Sequence, residues 1–319
     1  MYKKAQILKT AVIMATYNGS KFIEEQLDGI RYQEMPPSYV LIRDDNSSDN
    51  TVSLVVQYIE KYNLKNWNIS INSKNMGWRL NFRQLMIDVN SLDIDYIFLA
   101  DQDDIWLPNK IKEQLLVLAE RPNIQLLSHD YDNEVSGNGK SIESIYKFPN
   151  KNRIEKYPLD ISRTHIYRLG WTYAYTSRLN ASLIKAYEKI IEPVGHDVII
   201  SFAATGLSEA YNLNEKLGIH KLHGNNVSST GLGMHSPRSE HIQDLLKKIQ
   251  NVSIAVKVCE EYGSSNLISL KKMLKFYTLR LNNARDRKVF STIWAVIKYR
   301  KFYFNVKDIG RDFLFLLKK

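Results

Sequence analysis

Cysteine is almost missing from this sequence. Cys259 stands alone among 319 residues, which excludes an internal disulfide and any cysteine-rich metal cage. A lone thiol suits a reducing compartment such as the cytoplasm. No apolar run approaches the ~20 residues that a membrane span requires. The start, Lys3-Lys4 and then an apolar stretch, is broken by Lys9 and leads into Tyr17-Asn18-Gly19 instead of a cleavage site, so it reads as a first strand and not as a signal peptide. G-x-G-x-x-G after that strand, G-x-x-x-x-G-K-[ST], G-x-S-x-G and H-E-x-x-H are all missing. Dehydrogenases of the Rossmann type, P-loop NTPases, hydrolases with a nucleophile elbow and zincin proteases thereby lose their main support. There is no internal repeat.

What is there suffices for one large core: 44% of the residues are hydrophobic and 24% charged, close to the globular average. The net charge of +10 is unevenly spread. Residues 240–319 hold 17 Lys+Arg against 7 Asp+Glu, whereas the first 239 residues hold 27 of each sign. A neutral body with a basic tail argues against a nucleic-acid-binding core. It points to one surface meeting something anionic, or simply to a soluble pair of basic helices.

Along the chain, apolar runs at 11–15, 39–42, 68–71 and 96–100 read as strands. Helical spacing follows each of the first three, near Ser20, over 50–62 and over 82–89. This alternation predicts an α/β fold with a mainly parallel sheet covered by helices. Ligands bind such sheets at the carboxyl ends of the strands, and the polar clusters at 16–19, 44–49 and 101–104 fall there. Residues 131–165 read as a long excursion. Order returns at 170–175, a helix is expected over 179–191, His196-Asp197 opens another, and short strands are expected at 211–213 and 219–222. From about Glu240 the pattern is helical, with an aromatic-rich stretch over 276–304.

Asp101-Gln102-Asp103-Asp104 crowds three carboxylates into four residues. They repel one another unless a cation lies between them, so a divalent metal explains them; a solvated acidic turn with Asp104 capping the next helix explains them too. Within Asp44-Asp45-Asn46-Ser47-Ser48-Asp49, one residue can cap a helix while another accepts a hydrogen bond from a nucleobase. Asp197 is either a helix cap or a general base. His223, with Asn225 and Asn226, is a metal or phosphate contact or a polar loop.

Six stretches in order resemble the family-2 glycosyltransferases of GT-A fold: Thr16-Tyr17-Asn18-Gly19 with Glu24-Glu25-Gln26-Leu27; residues 44–49; Asn75-Met76-Gly77; Asp101-Gln102-Asp103-Asp104-Ile105-Trp106-Leu107-Pro108; His196-Asp197; and His223-Gly224-Asn225-Asn226. The form of the fourth looks most like the bacterial branch that builds rhamnose-containing or capsular polysaccharides. The resemblance implies a GT-A catalytic domain over 1–236, with a nucleotide-sugar half (1–125) and an acceptor half (126–236), and a helical extension over 237–319. It also implies an enzyme that moves one sugar, with inversion, from a UDP- or dTDP-sugar to a glycan or lipid-linked acceptor. The Q-x-x-R-W motif of processive synthases is missing.

By the same resemblance Thr16, Tyr17, Asn18 and Asp45 hold the nucleotide and Asp101 reaches the ribose or the metal. Asp103 binds Mn²⁺ or Mg²⁺, His223 contacts the metal or the diphosphate, and Asp197 is the catalytic base. Trp171 and Thr172 lie on the acceptor side, where the Trp171 ring offers a sugar a stacking face or packs in the core. Two positions depart from the family pattern: Asn46 replaces Gly, and His196 replaces the common Glu. The competing readings are a sugar-phosphate nucleotidyltransferase, which would show a Gly-rich basic loop after the first strand, and a non-catalytic nucleotide-sugar-binding module, which needs no base. The tail over 270–319 mixes basic and aromatic residues. It either rests on an anionic membrane at the inner face of the cell membrane, or packs on the protein or in a homodimer.

Overall fold

The computed structural model of the chain describes residues 8–135, 146–159, 166–188, 193–223 and 236–318. The first half alternates as expected: β1 (Thr10–Thr16), α1 (Ile23–Arg31), β2 (Tyr39–Asp44), α2 (Thr51–Lys61), β3 (Trp67–Ile71), α3 (Trp78–Val89) and β4 (Tyr96–Ala100). Successive side chains of a strand point to opposite faces. In β1, Ala11 and Ile13 enter one hydrophobic cluster while Val12 and Met14 enter another, and all four are buried. A strand apolar on both faces fits the middle of a helix-covered parallel sheet. Accordingly β1 pairs in parallel with β2 and β4, and β2 with β3.

The second half is mixed. It comprises β5 (Ile105–Trp106), α4 (Lys110–Glu120), β6 (Leu126–Val135), β7 (Ile154–Lys156), a 3-10 turn at Gly170–Thr172, β8 (Ala174–Thr176), α5 (Ser177–Tyr187), α6 (His196–Gly206) and β9 (Ala210–Leu222). The strand order among the described residues is β3-β2-β1-β4-β8-β6-β9-β5, with β7 on β9. The sheet is parallel through its first four strands and again between β6 and β9, so the mainly parallel expectation holds, with short antiparallel pairings added. The pairs β4–β8, β6–β8, β5–β9 and β7–β9 are antiparallel. β5, β7 and β8 have two or three residues each, too few to display a period. One strand, β9, replaces the two short ones expected, and it shifts register against β6 around Asp130. The excursion expected over 131–165 is partly the end of β6 and all of β7; residues 136–145 and 160–165 lie outside the described residues.

Helices α1, α2 and α4 cover one face through Ile23, Leu27, Val55, Ile111 and Leu115. The other face is covered by α3, α5 and α6, and by two helices of the tail. The tail consists of α7 (Arg238–Glu261), α8 (Leu267–Asp286), α9 (Val289–Tyr299) and α10 (Val306–Leu317). α7 packs on α5 and α6. Val252, Ile254 and Val258 of α7 share one cluster with Ile13 and Leu99, as do Met273 and Phe276 of α8. Each such side chain contributes roughly 1.5–3 kcal/mol by leaving water, so the helices after 237 complete the core of the sheet layer. α10 is fastened by a buried fork, with Arg280 donating to both carboxylate oxygens of Asp312 at 2.7 and 2.6 Å and the Tyr303 hydroxyl to one at 2.8 Å.

Candidate active site

Three loops meet beyond the carboxyl ends of β1, β2 and β4, and hydrogen bonds lace them together. Thr16 is buried at the end of β1 and donates its hydroxyl to Asp44 at 2.8 Å. Asn18 adopts φ 47°, a left-handed conformation that Asn tolerates better than most residues. Its N–H donates to Ser47 Oγ at 2.8 Å and its side-chain oxygen accepts from Ser48 N–H at 2.9 Å. Asp49 accepts from Thr51 and from the Ser20 N–H at 3.1 Å. Its partial burial opposes ionisation, but these hydrogen bonds outweigh that and hold the carboxyl at about 2. Asn46, where the family pattern has Gly, takes φ 64°, so the turn that Gly serves is kept.

Asp45 is buried, and both of its carboxylate oxygens are engaged. They accept from Asn72 Nδ2 at 2.8 Å, Met76 N–H at 2.9 Å and Gly77 N–H at 2.7 Å. Its visible work is to pin the loop of Asn75-Met76-Gly77 against the end of β2. Tyr17, by contrast, is exposed. Its backbone is gripped from both sides by Gln102, whose amide oxygen accepts from Tyr17 N–H at 2.9 Å and whose nitrogen donates to Tyr17 O at 3.1 Å. A Cβ on Gly19 would lie 2.3 Å from that amide oxygen, so the grip depends on glycine there.

The turn after β4 carries the charge. Asp103 meets His223 Nε2 at 2.8 Å, and Asp104 meets His220 Nδ1 at 2.6 Å while also accepting from Lys221 N–H at 3.3 Å. Asp104 therefore ties the turn to β9 and does not cap α4, which starts six residues later after Asn109. Lys221 forms an ion pair with Glu25. Burial, and then the charges of Asp104, Asp103 and Asp197, raise the Asp101 carboxyl well above its usual range. Burial likewise raises Asp104 to about 6, against the pull of His220. The turn after β4 and the start of α6 thus bring four carboxylates into one field. Among the described residues no three ligating side chains converge as a closed metal cage. Mg²⁺ and Mn²⁺ ask for less, one or two carboxylates plus phosphate oxygens. A carboxylate touching an imidazole, beside surplus negative charge, fits such an ion.

Asp197 sits in the first turn of α6, where one carboxylate oxygen accepts from Val198 N–H at 2.8 Å. The N-cap of α6 is Gly195, so this oxygen serves the next N–H within the first turn and does not cap the helix. The side chain lies against Gly170 and Gly195: a Cβ on Gly170 would come within 3.1 Å of Asp197 Cβ, and one on Gly195 within 2.8 Å of its Oδ1. His196, in place of the common Glu, is buried and stacked on Phe82 at 3.7 Å between ring centroids. Its burial pushes the imidazole down to about 4.

Trp171 and Thr172 differ from their expected role. Trp171 is 1% exposed and packs against His129, Tyr131 and His220, while Thr172 is 0% exposed and donates to Leu169 O at 2.7 Å. Neither has surface to offer an acceptor. They form the floor that sets Gly170 beside Asp197. Gln102 and His220 are the positioning residues that sequence reasoning left unassigned. Gln102 stands inside the acidic motif, and His220 stands three residues before His223. Residues 224–226, expected to assist His223, lie outside the described residues.

A parallel half-sheet with carboxylates crowded at its strand ends is the architecture of a GT-A glycosyltransferase, and the comparisons agree. Residues 11–175 match the family model for glycosyl transferase family 2, and the chain belongs to that family. Over 103 residues it is 42% identical to the dTDP-rhamnosyl transferase RfbG of Shigella flexneri, a stretch that is 32% of this chain and 35% of that protein. Over 123 residues it is 28% identical to the poly(ribitol-phosphate) beta-N-acetylglucosaminyltransferase TarS of Staphylococcus aureus, covering 38% of this chain and 21% of that one. The matched stretches thus span about a third or less of both relatives. The crystal structure of S. aureus TarS 1-349 in complex with UDP-GlcNAc superposes with a TM-score of 0.59 at 16% identity, over 96% of this chain and 81% of that one.

Proposed function

We propose that the chain transfers a single sugar, with inversion, from a nucleoside-diphosphate sugar to a hydroxyl of a glycan or lipid-linked acceptor in the synthesis of a bacterial cell-surface polysaccharide. One observation carries this reading: the charges of Asp103, on the turn after β4, and of Asp197, at the start of α6, both act on Asp101 beside the strand-end loops. Tyr17 and Asn18 line the nucleotide side. Thr16 and Asp45 shape it from beneath through Asp44 and the 72–77 loop, and Asp101 faces the ribose. Asp103 and His223 would hold Mn²⁺ or Mg²⁺, which when bound neutralises negative charge on the departing diphosphate.

The chain's own groups handle the proton. As the acceptor oxygen attacks the anomeric carbon, its proton passes to the Asp197 carboxylate. The bond from the anomeric carbon to the diphosphate oxygen breaks, and the nucleoside diphosphate leaves with that electron pair. A single displacement inverts the anomeric centre. The name of the Shigella relative favours a dTDP-sugar and the ligand of the S. aureus structure a UDP-sugar. The place of action is the cytoplasm, at the inner face of the membrane.

A screen of radiolabelled sugar nucleotides, with Mn²⁺ and with EDTA, tests the reading. EDTA-sensitive transfer or hydrolysis releasing a nucleoside diphosphate is expected. Release of pyrophosphate would establish a nucleotidyltransferase instead. Tight binding without turnover of any sugar nucleotide would establish a binding module.

A further inference from the structure

The basic tail divides sharply between what is packed and what is left in solvent. Phe276, Tyr277, Phe302, Tyr303 and Phe315 are buried, so half of the ten aromatic residues over 270–319 serve the core. On α9 the pattern reverses. Thr292 and Ala295 face inward, while Phe290 is 87% exposed, Ile297 is 74% exposed, and Ile293 and Trp294 also face out. Positions 290, 293, 294 and 297 recur at helical spacing and form one stripe. Residues 289–297 contain no charge, yet Arg285, Arg287 and Lys288 precede them and Lys298, Arg300 and Lys301 follow, against the single acid Asp286. Lys288 pairs with Asp286 at 2.8 Å. The Lys298 ammonium lies 4.3 Å from the Trp294 ring centroid, with its stem along the apolar stripe.

We propose that this face of α9 docks on an anionic lipid bilayer. Cations at both ends of the stripe select the occupant. A second copy paired across a two-fold axis would set basic ends against basic ends, whether the two helices ran parallel or antiparallel. An anionic bilayer meets both ends at once, accepts the apolar stripe, and suits a Trp at headgroup depth. Among the described residues no helix is long and apolar enough to cross a membrane, so the contact is peripheral.

The experiment uses the full chain and vesicles, without donor or acceptor, so its failure leaves the transfer reading standing. Co-sedimentation is measured with phosphatidylcholine vesicles and with vesicles that also contain phosphatidylglycerol. Binding is expected on the anionic vesicles at low salt, weakening as salt rises. Each basic residue near the surface is worth about fivefold in affinity, so K298E/R300E/K301E should weaken binding on the order of a hundredfold. F290S/I297S changes exposed residues only, spares the core, and should weaken it by at least about tenfold. Nucleoside diphosphate binding by both variants is the control for folding. The proposal is overturned if wild-type protein ignores anionic vesicles at low salt, if it binds neutral ones equally well, or if both variants bind like wild type. A concentration-dependent dimer abolished by F290S/I297S would overturn it in favour of a second copy.

Discussion

His196 makes the stability of the fold depend on pH below neutrality, in a window that it shares with the buried His129 and with Asp104. The ring is stacked on Phe82, set edge-on to Trp78 at 5.8 Å, and buried, and this burial lowers its pKa from 6.5 to about 4. The unfolded chain keeps the ordinary value, so below it the unfolded state binds the proton and the folded state does not. Stability is therefore complete above pH 6.5 and falls as pH drops toward 4. With those two values, linkage gives a loss of about 2 kcal/mol by about pH 5 and about 3 kcal/mol by about pH 4. Carboxylates titrate in the lower part of this range as well, so the measurement is a difference. His196→Phe keeps a ring against Phe82 and removes the proton site. Urea unfolding of both proteins across this range should show the wild-type curve falling toward the variant's by about the amounts given. A constant gap between the two curves from neutral pH to pH 4 would refute the reasoning.

Other consequences are equally direct. A Cβ on Gly218 would fall 2.7 Å from Ile105 O and 2.6 Å from the Trp171 ring. Gly218→Ala should accordingly cost about 1–3 kcal/mol by overpacking, and calorimetric unfolding should show it. Arg280→Met leaves Asp312 buried without its partner and should cost about 3–5 kcal/mol. Because burial opposes ionisation of Asp312 but Arg280 and the other donors more than offset it, its pKa lies below the unfolded value. The stabilisation it gives in wild type is present above about pH 4 and lost as pH falls further. Acid titration of stability should show that fall in wild type and not in the variant. Asp103→Asn should remove most Mn²⁺-dependent affinity for UDP or dTDP while the protein stays folded; equal affinity with and without EDTA in wild type would show that Asp103 and His223 hold no such ion.

The catalytic half was legible because its signals are local. Apolar runs ending at Thr16, Asp44 and Ala100 are strands by composition alone, and polar residues clustered at their ends mark where ligands bind such sheets. What the chain hid depends on contacts distant in sequence. Asp104 looked like a helix cap because its true partner, His220, lies 116 residues away. Trp171 looked equally suited to a sugar or to the core, and the decision rests on Gly218 leaving room for its ring. β5, β7 and β8 are defined by their neighbours and not by any period. In the tail, basic and aromatic residues alternate too densely for composition to separate Phe276, which is core, from Phe290, which is exposed. The boundary drawn at 236 marks the onset of helices, yet α7 and α8 pack into the same core as β1 and β4.

The decisive measurement compares Asp197→Asn with wild type in turnover of the best sugar nucleotide and in affinity for its nucleoside diphosphate. If Asp197 takes the acceptor's proton, turnover falls by about 10²–10⁴-fold, while affinity stays within about twofold because the proposed role of Asp197 is proton transfer and not nucleotide binding. Near-wild-type turnover would contradict transfer with Asp197 as base and leave that residue only its hydrogen bond to the Val198 N–H.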